Sequence, residues 1–307
     1  MLIVVAPGQG SQTPGMLEPW LELPEFSEII ATASEASGLD LRAHGTTSDA
    51  ETIKDTAIAQ PLIVAAGIGS FHAALAAGAD LNRASAFAGH SVGEFTATAI
   101  SGVLTVAETL AVVSARGRAM ANASGQVATG MVAVMGGERS DVVSKLAEFD
   151  LVAANENGAG QIVAAGELSN IDALVASAPA GLRLVQLPVA GAFHTHFMSS
   201  AQVEVVEALA KCTPKTPTVP VVSNKDAAAL MDGNEIATRL GSQVTSPVRW
   251  DLCMEKFAEL GVTGIVELFP GGTLTNLAKR GLKGVDLLPI KAPTDLENLR
   301  EFVANHA

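Results

Sequence analysis

Basic residues and cysteines are both scarce in this chain of 307 residues. The 19 lysines and arginines face 32 aspartates and glutamates, which gives a net charge of −13 at pH 7. So negative a chain is a poor candidate for binding nucleic acid, and it has no polybasic segment for a membrane surface. The two cysteines, Cys212 and Cys253, lie in segments with a helical pattern and without metal-ligand spacing. We therefore expect reduced thiols in a cytoplasmic protein, with no disulfide and no metal site.

Long runs of bulky apolar side chains are missing as well. The most apolar long stretch, residues 61–79, contains Ser70, His72 and three glycines, so it predicts a buried helix and not a membrane span. Residues 1–7 lack the basic start of a signal peptide and predict a first strand. With 48% hydrophobic and 17% charged residues, the composition is that of a globular protein with a large core.

One short segment, Gly89-His90-Ser91-Val92-Gly93, fits the G-x-S-x-G pattern of a nucleophile elbow. The apolar residues 84–88 predict a buried strand before it, and residues 94–100 have the composition of a helix start. Glycines leave room where a strand turns sharply into a helix. The turn puts the serine at a helix N-terminus, where free N–H groups favour negative charge. The pattern also occurs in structural turns, but its place between strand and helix makes Ser91 the candidate nucleophile.

A serine nucleophile needs a general base, and the chain offers six histidines. Two of them lie in polar surroundings, one is in the middle of a predicted helix, and one adjoins the serine on the turn, so that its ring should diverge from the hydroxyl. The residues alone leave His194 and His196, which follow a predicted strand and precede a helix ending near residue 211. The four excluded residues are, in the same order, His44 and His306, His72, and His90.

An arginine lies at the edge of the buried face of a predicted helix, residues 105–123. At about 100° per residue, Arg116 is roughly 80° from the centre of the apolar stripe and Arg118 roughly 120°. Arg118 is expected in solvent, whereas the Arg116 guanidinium needs a partner. No carboxylate lies three or four residues away. Either a distant carboxylate pairs with Arg116, or the guanidinium binds an anionic group of the substrate.

The loop of residues 7–12 follows the first predicted strand. It is not a dinucleotide fingerprint, because Thr13 stands where the third glycine would be. Ligands bind at the carboxyl edge of doubly wound sheets. The loop therefore either supplies N–H groups to an oxyanion hole there or is a plain tight loop.

The pattern of predicted elements changes in residues 125–189, where strands and helices follow the order β-α-β-β-α-β. This order is typical of a ferredoxin-like subdomain, here inserted in a larger one. We therefore expect a large α/β subdomain from residues 1–124 and 190–307 and a small one from residues 125–189. The predicted strands are residues 131–135, 151–154, 161–165 and 182–187, and the helices are residues 140–148 and 169–177.

Taken together, these motifs resemble the malonyl-CoA:acyl carrier protein transacylases of type II fatty acid synthesis, whose relatives are the acyltransferase domains of polyketide and fatty acid synthases. Each motif alone is short, but the whole set in this order is specific. The resemblance implies a hydrolase-like core with a mostly parallel sheet and an inserted ferredoxin-like subdomain. The matching segments are residues 7–12, 89–94, Arg116, 191–194 and 243–250, with similar stretches at residues 270–272 and 279–280.

The resemblance also implies an activity, with no cofactor. Ser91 would take the malonyl group from malonyl-CoA and pass it to the phosphopantetheine thiol of an acyl carrier protein, with His194, not His196, as the base. Arg116 would bind the free carboxylate, and Phe193 resembles the malonyl-selecting variant. The remaining implied roles are an oxyanion hole at Gln9 and Val92, substrate contacts at Met120 and Asn157, and a backbone carbonyl at Gln243 that holds the imidazole.

The densest basic cluster in the last third of the chain consists of Lys279, Arg280 and Lys283. Since carrier proteins of this kind are acidic, we expect this cluster to dock the carrier. The alternative is that these charges only complement the dipole at the C-terminus of their own helix.

Two other functions are compatible with parts of the sequence. A serine hydrolase would keep Ser91 and a histidine, but its usual chain order requires an acid between them. The available acids fall inside the predicted insertion, and Arg116 would have no role. A catalytically silent docking module is disfavoured by the intact set of Ser91, His194 and Arg116. The candidate acids are Asp141, Asp150 and Asp172.

Overall fold

The computed structural model describes residues 1–177, 181–189 and 191–307. These residues form an α/β fold with two sheets. The strands are β1 (Leu2–Ala6), β2 (Ala86–Gly89), β3 (Thr129–Met135), β4 (Val152–Gly158), β5 (Gln161–Glu167), β6 (Arg183–Gln186), β7 (Val221–Val222), β8 (Ala229–Leu230), β9 (Val248–Arg249), β10 (Gly264–Glu267) and β11 (Asp286–Pro289).

Helices surround both sheets and account for most of the regular structure. The sequence predicts the long ones to within a few residues, because each carries a continuous apolar pattern. The helices are α1 (Pro24–Ser37), α2 (Leu41–Thr46), α3 (Ala50–Lys54), α4 (Thr56–Ala76), α5 (Gly93–Ile100), α6 (Val106–Ser124), α7 (Arg139–Ala147), α8 (Leu168–Ser177), α9 (Ser199–Leu209), α10 (Gly233–Gln243), α11 (Trp250–Glu259), α12 (Thr273–Gly281) and α13 (Leu296–His306).

The larger sheet has the strand order β11-β10-β1-β2-β7-β8. All its pairs are parallel except β7 with β8. Every residue of β1 is buried: Leu2, Val4 and Ala6 face one apolar core, while Ile3 and Val5 face another. The predicted first strand is therefore confirmed, and its unbroken apolar run reflects burial on both faces.

The core helix α4 lies under this sheet and packs on α1 and α6. It begins at Thr56 because the Asp55 side chain accepts a hydrogen bond from the N–H of Ala57. By length and composition α4 is the one helix in the described ranges that meets the criteria for a membrane span, yet 83% of its apolar window is buried inside the protein. The prediction of a buried helix is confirmed.

The smaller sheet has the order β6-β3-β5-β4-β9. Strands β3 to β6 pair antiparallel, and α7 and α8 lie between them in the chain. All predicted strands and helices of this region occur. The sheet also receives β9 from the C-terminal part of the chain, which pairs parallel with β4. The predicted restart of the large subdomain, residue 190, lies outside the described residues.

Several short elements differ from those that the sequence predicts. A strand is expected over residues 219–223, but Pro220 restricts the observed strand to β7. Cys212 lies in a turn after α9 and not in a helix, because α9 ends at Leu209 and Pro214 follows. The elements α2, α3, α13, β8, β9 and β11 are too short or too weakly patterned to be predicted.

Candidate active site

The predicted elbow is confirmed as a local structure. Strand β2 ends at Gly89, Ser91 adopts a left-handed φ of 53°, and α5 begins at Gly93. A Cβ atom on Gly89 would lie 2.0 Å from the carbonyl carbon of Gly93, and one on Gly93 would lie 2.2 Å from the carbonyl oxygen of Ala6. Both glycines are therefore required by close backbone approach.

The Ser91 hydroxyl lies within hydrogen-bond distance of a histidine. Its Oγ lies 2.7 Å from Nε2 of His194, and Nδ1 of the same ring lies 3.0 Å from the backbone carbonyl of Gln243. A carbonyl oxygen only accepts hydrogen bonds, so Nδ1 carries the proton and Nε2 is free to accept from the serine. Burial, with Arg116 nearby, lowers the pKa of His194 to about 3. The imidazole is therefore neutral at pH 7, as a general base must be.

His196, the other candidate from the residues alone, is exposed, and its ring packs on Phe197. His90 does diverge from the serine: its Nε2 lies 2.8 Å from Oδ1 of Asn157. The three acids available for a hydrolase triad are also exposed. The position such an acid would take, next to Nδ1 of His194, is occupied by the Gln243 carbonyl. The exposed acids are Asp141, Asp150 and Asp172.

Arg116 is only 1% exposed and points at the nucleophile. Its Nη1 donates to Oε1 of Gln60 at 2.6 Å, and its Nη2 donates to Oε1 of Gln243 at 2.8 Å and to Ser91 Oγ at 3.4 Å. Within the described ranges its hydrogen-bond partners are amide and hydroxyl oxygens, so of the two alternatives that the sequence leaves open, pairing with a distant carboxylate is not found. Arg116 also lies deeper than the helix pattern predicts, whereas Arg118 is exposed as predicted.

The guanidinium is nevertheless charged. Burial lowers the pKa of Arg116 to about 9, which still leaves it protonated at neutral pH. Its buried Nε has no hydrogen-bond partner among the described residues. A positive charge held mainly by neutral amides, with a donor to spare, is a site for a small anion.

A buried carboxylate, Glu94, stands behind the elbow. Its Oε1 accepts from the backbone N–H of Asn224 at 2.7 Å, and its Oε2 accepts from Nε2 of Gln243. Asn224 in turn binds the elbow, since its Oδ1 accepts from the N–H of Ser91 at 2.8 Å and its Nδ2 donates to the carbonyl of Gly89 at 2.7 Å. No local pattern in the sequence predicts these contacts, although Glu94 directly follows the elbow motif.

The two N–H groups expected in the oxyanion hole belong to residues that line the same cavity. Neither the N–H of Gln9 nor that of Val92 meets an acceptor in the part of the chain that the structure describes. The Gln9 side chain is held by Thr56 Oγ1 at 3.1 Å. A Cβ on Gly8 would lie 2.8 Å from the carbonyl of His90, so this loop packs directly on the elbow.

The cavity has a volume of about 100 Å³ and an apolar wall around the polar groups. Met120 and Phe193 line it as expected. Asn157 does not line it; its Oδ1 lies 2.8 Å from Nε2 of His90, which does. Asn155 lines the cavity, and its buried Oδ1 has no partner among the described residues. The apolar wall is completed by Met131, Val163, Leu187 and Val189.

The basic cluster of Lys279, Arg280 and Lys283 is exposed and does not line this cavity. Lys279 and Arg280 lie in the last turn of α12. Because α12 follows the parallel strand β10, its start lies at the carboxyl edge of the sheet, where the elbow is, and its end lies towards the opposite edge. Arg280 Nη2 reaches Oε1 of Gln161 at 3.4 Å, next to the smaller sheet.

The similarity to known proteins extends over almost the whole chain. The acyl transferase domain model matches residues 3–302. The malonyl CoA-acyl carrier protein transacylase of Mycobacterium tuberculosis is 47% identical over 304 residues, which are 97% of this chain and 99% of that protein. The enzyme of the same name from Escherichia coli K12 is 34% identical over 283 residues, 90% of this chain and 91% of that protein.

Solved structures agree with these relatives. A malonyl-transacylase in complex with a type II PKS acyl-carrier protein matches with a TM-score of 0.91 and 28% identity, covering 98% of this chain and 99% of that chain. The family match, the full-length relatives and the shared architecture lead to one conclusion: the chain belongs to the acyl transferase domain family.

Proposed function

We propose that this protein transfers the malonyl group from malonyl-CoA to the phosphopantetheine thiol of an acyl carrier protein, in fatty acid or polyketide synthesis. One observation carries the proposal: Ser91 Oγ lies 2.7 Å from His194 Nε2 and 3.4 Å from Nη2 of Arg116. A nucleophile next to a buried cation suits an acyl group that ends in a carboxylate. The malonyl group has that carboxylate and the acetyl group lacks it.

In the first half-reaction, the Ser91 oxygen attacks the thioester carbonyl carbon while Nε2 of His194 takes the hydroxyl proton. The new C–O bond forms, the C–S bond breaks, and the proton passes from His194 to the departing CoA sulfur. The product is a malonyl ester on Ser91. The carbonyl of Gln243 keeps the imidazole in the required tautomer throughout, because it accepts from Nδ1.

In the second half-reaction, the carrier thiol attacks the same ester carbon and gives its proton to His194. The C–S bond to the carrier forms, the C–O bond to Ser91 breaks, and the proton returns to the serine. This is ping-pong covalent catalysis. Negative charge on the carbonyl oxygen in both steps would be stabilised by two N–H groups, that of Gln9 in the loop after β1 and that of Val92 at the start of α5.

We assign substrate selection to the walls around Ser91. Arg116 would bind the malonyl carboxylate by two N–H bonds, exchanging an amide partner for a charged one. Phe193 and Met120 would close the apolar side of the acyl site. Asn155, and not Asn157, would make the implied substrate contact. We place that contact on the pantetheine arm, since the buried Oδ1 of Asn155 has no hydrogen-bond partner among the described residues. All reacting groups are side chains and backbone, so we propose no cofactor.

The fold proposal is a hydrolase-like core formed by residues 1–124 and 190–307, with a ferredoxin-like subdomain at residues 125–189. It is supported by the parallel larger sheet and by the order β3-α7-β4-β5-α8-β6 in an antiparallel sheet. A cytoplasmic location is the matching proposal, supported by the two free cysteines, of which Cys253 is buried.

The direct test is to map the covalent intermediate. Incubation with malonyl-CoA, rapid quenching and peptide mass mapping should find a malonyl group on Ser91. Adding the carrier protein with its phosphopantetheine arm should remove the label and malonylate the carrier. Ser91→Ala is the control and should stay unlabelled. A label on any other residue, or release only as free malonate, would contradict the proposal.

A further inference from the structure

The proposed mechanism leaves the buried carboxylate behind the elbow without a role. Glu94 is 5% exposed and lies in the first turn of α5, three residues after the nucleophile. It does not line the cavity, and its carboxylate makes its hydrogen bonds to Asn224 and Gln243 and not to His194. Burying a carboxylate costs free energy unless hydrogen bonds compensate for the lost water, so the contacts of Glu94 indicate its role.

The first path leads from Glu94 to the nucleophile. Oε1 accepts from the N–H of Asn224 at 2.7 Å, which fixes that backbone beside the elbow. The Asn224 side chain then bridges the turn, because it accepts from the Ser91 N–H and donates to the Gly89 carbonyl. These bonds span the residue whose φ is 53°, a conformation that an ordinary side chain adopts only when its surroundings hold it there.

The second path leads from Glu94 to the base and to the cation, through Gln243. Nε2 of Gln243 donates to Glu94 Oε2 and to the Ser91 carbonyl, the latter at 2.9 Å. That orientation turns Oε1 of the same amide towards Nη2 of Arg116 at 2.8 Å. The backbone carbonyl of Gln243 holds His194. One amide therefore connects the carboxylate with the elbow, the guanidinium and the imidazole.

We propose that Glu94 is a positioning residue for the acyl transfer, doing for this site what the third acid of a serine triad does elsewhere, but through Asn224 and Gln243 instead of by contact with the histidine. The inference deepens the proposed function and rests on it. As a carboxylate, Glu94 sets the orientation of the Gln243 amide, and that amide sets the positions of Ser91 and Arg116.

The charge state matters because both Glu94 oxygens accept a hydrogen bond, Oε1 from the N–H of Asn224 and Oε2 from Nε2 of Gln243. A carboxylate has two acceptor oxygens, whereas a protonated carboxyl group or a glutamine side chain has one acceptor and one donor. In either neutral form, the new donor on residue 94 faces the N–H of Asn224 or the Nε2 group of Gln243, which are themselves donors. If the Gln243 amide turns over in response, its NH₂ group faces Arg116 and the guanidinium loses its anchor.

Several ionisable groups face Glu94 from the surrounding elements. Burial raises the pKa of Glu94 to about 7, although Arg116 on α6 and Arg239 on α10 act to lower it. His194 does not titrate in this range, since burial puts its pKa at about 3. A change in activity near pH 7 that the wild type shows and Glu94→Gln lacks would therefore be assigned to Glu94. The other neighbours are His90 on the turn, which burial keeps neutral, and Cys253 on α11, whose pKa is raised by burial and by Glu94.

The test compares Glu94→Gln with a matched control, Glu267→Gln. Glu267 is also fully buried and accepts backbone N–H bonds, from Gly272, Leu274 and Thr275 at the start of α12, but it does not line the cavity. Two readouts are measured on folded protein. One is the rate of Ser91 acylation by malonyl-CoA, and the other is the rate of Ser91 modification by a sulfonyl fluoride, which needs no carboxylate.

We expect Glu94→Gln to slow both reactions by about 10- to 100-fold at pH 8, with the larger loss for malonyl-CoA. Glu267→Gln should lower the melting temperature and leave both rates near those of the wild type. The wild-type sulfonylation rate should fall as the pH drops through about 7, towards the rate of Glu94→Gln. The variant itself should show no such step.

The inference is overturned if Glu94→Gln reacts within about twofold of the wild type, or if Glu267→Gln loses as much activity. A variant that does not fold leaves the wild-type pH profile to decide, and a flat profile between pH 5.5 and 8.5 counts against Glu94. If the wild type reacts with the sulfonyl fluoride but not with malonyl-CoA, the proposed function fails while the comparison of the two glutamates still stands.

Discussion

The two sheets contribute to the active site in different ways. The larger, mainly parallel sheet and its helices supply the proposed nucleophile, the buried guanidinium and the backbone N–H groups of Gln9 and Val92. The smaller sheet supplies side chains of the wall, such as Asn155 and Met131, and Asn157, which binds His90 next to the elbow. β1 is completely buried, whereas most of β6 is exposed. The catalytic groups therefore depend on a backbone that is packed between two apolar cores. The shape of the substrate site depends on side chains of the wall, which substitutions can change without disturbing that backbone.

Removal of the base should have the largest effect of any substitution discussed here. His194→Ala deletes the only neutral imidazole within reach of Ser91 Oγ in the described ranges, so acyl transfer should fall by roughly 10⁴-fold or more, for malonyl-CoA and acetyl-CoA alike. Initial rates of acyl-enzyme formation with both substrates measure this.

The matched control is His196→Ala, two residues along the chain and exposed. It should keep most of the activity. If the control loses as much as His194→Ala, the base is misassigned.

Removal of the cation should have the next largest effect, but for one substrate only. Stranding the malonyl carboxylate without its guanidinium costs roughly 3–5 kcal/mol, and the hydrogen bonds themselves contribute roughly 1.5–3 kcal/mol. Arg116→Ala should therefore reduce kcat/KM for malonyl transfer by roughly 10²–10⁴-fold. Acetyl-CoA has no carboxylate to strand, so its transfer should fall little or rise.

Arg118→Ala, on the exposed side of the same helix, is the matched control and should change neither substrate. Equal losses of malonyl and acetyl transfer in Arg116→Ala would mean that Arg116 is structural. The melting temperature of each variant separates that outcome from loss of the α6 packing.

Much of this arrangement could be predicted from the sequence, because its signals are local. The G-x-S-x-G segment specifies its own turn, and Thr105 with Glu108 forms the capping box that begins α6. What escaped prediction depends on distant contacts. Gln60 meets Arg116 across 56 residues, and Asn224 meets Ser91 across 133. No periodic pattern encodes such pairs, because each forms only when separate elements fold together.

The choice between Asn155 and Asn157 shows the same limit on a smaller scale. In an unbroken strand, residues two apart share one face. The pairing of β4 with β5 shifts register at two places, between Ala153 and Asn155 and between Glu156 and Gly158. The bulged strand sends Asn155 into the cavity and Asn157 to His90. The alternation of side chains along β4 therefore cannot identify the lining residue.

Changes in the wall should cost less than changes in the reacting groups. Asn155→Ala should raise KM for malonyl-CoA by about 5- to 20-fold with a smaller change in kcat, because it removes one polar contact to the arm and leaves the backbone intact. Asn157→Ala is the contrasting variant. It leaves Nε2 of His90, the residue before Ser91 on the elbow, without its partner. Because the elbow and not the wall is disturbed, we expect the effect mainly on kcat and equally on malonyl and acetyl substrates. The same profile for both variants would contradict the division between chemistry and wall.

The smallest effect is expected far from the cavity, at the basic cluster of α12. Reversal of charge in Lys279→Glu with Lys283→Glu should raise KM for the carrier protein by about 3- to 10-fold and weaken its salt dependence, because attraction to an acidic partner is lost. Acylation by malonyl-CoA should not change, since neither residue lines the cavity. Reversal of the exposed Lys211 and Lys215 together controls for net charge. If these lysines only complement the dipole of α12, the melting temperature falls and the carrier KM stays constant. That outcome would move the docking surface elsewhere and leave the catalytic assignments of the larger sheet untouched.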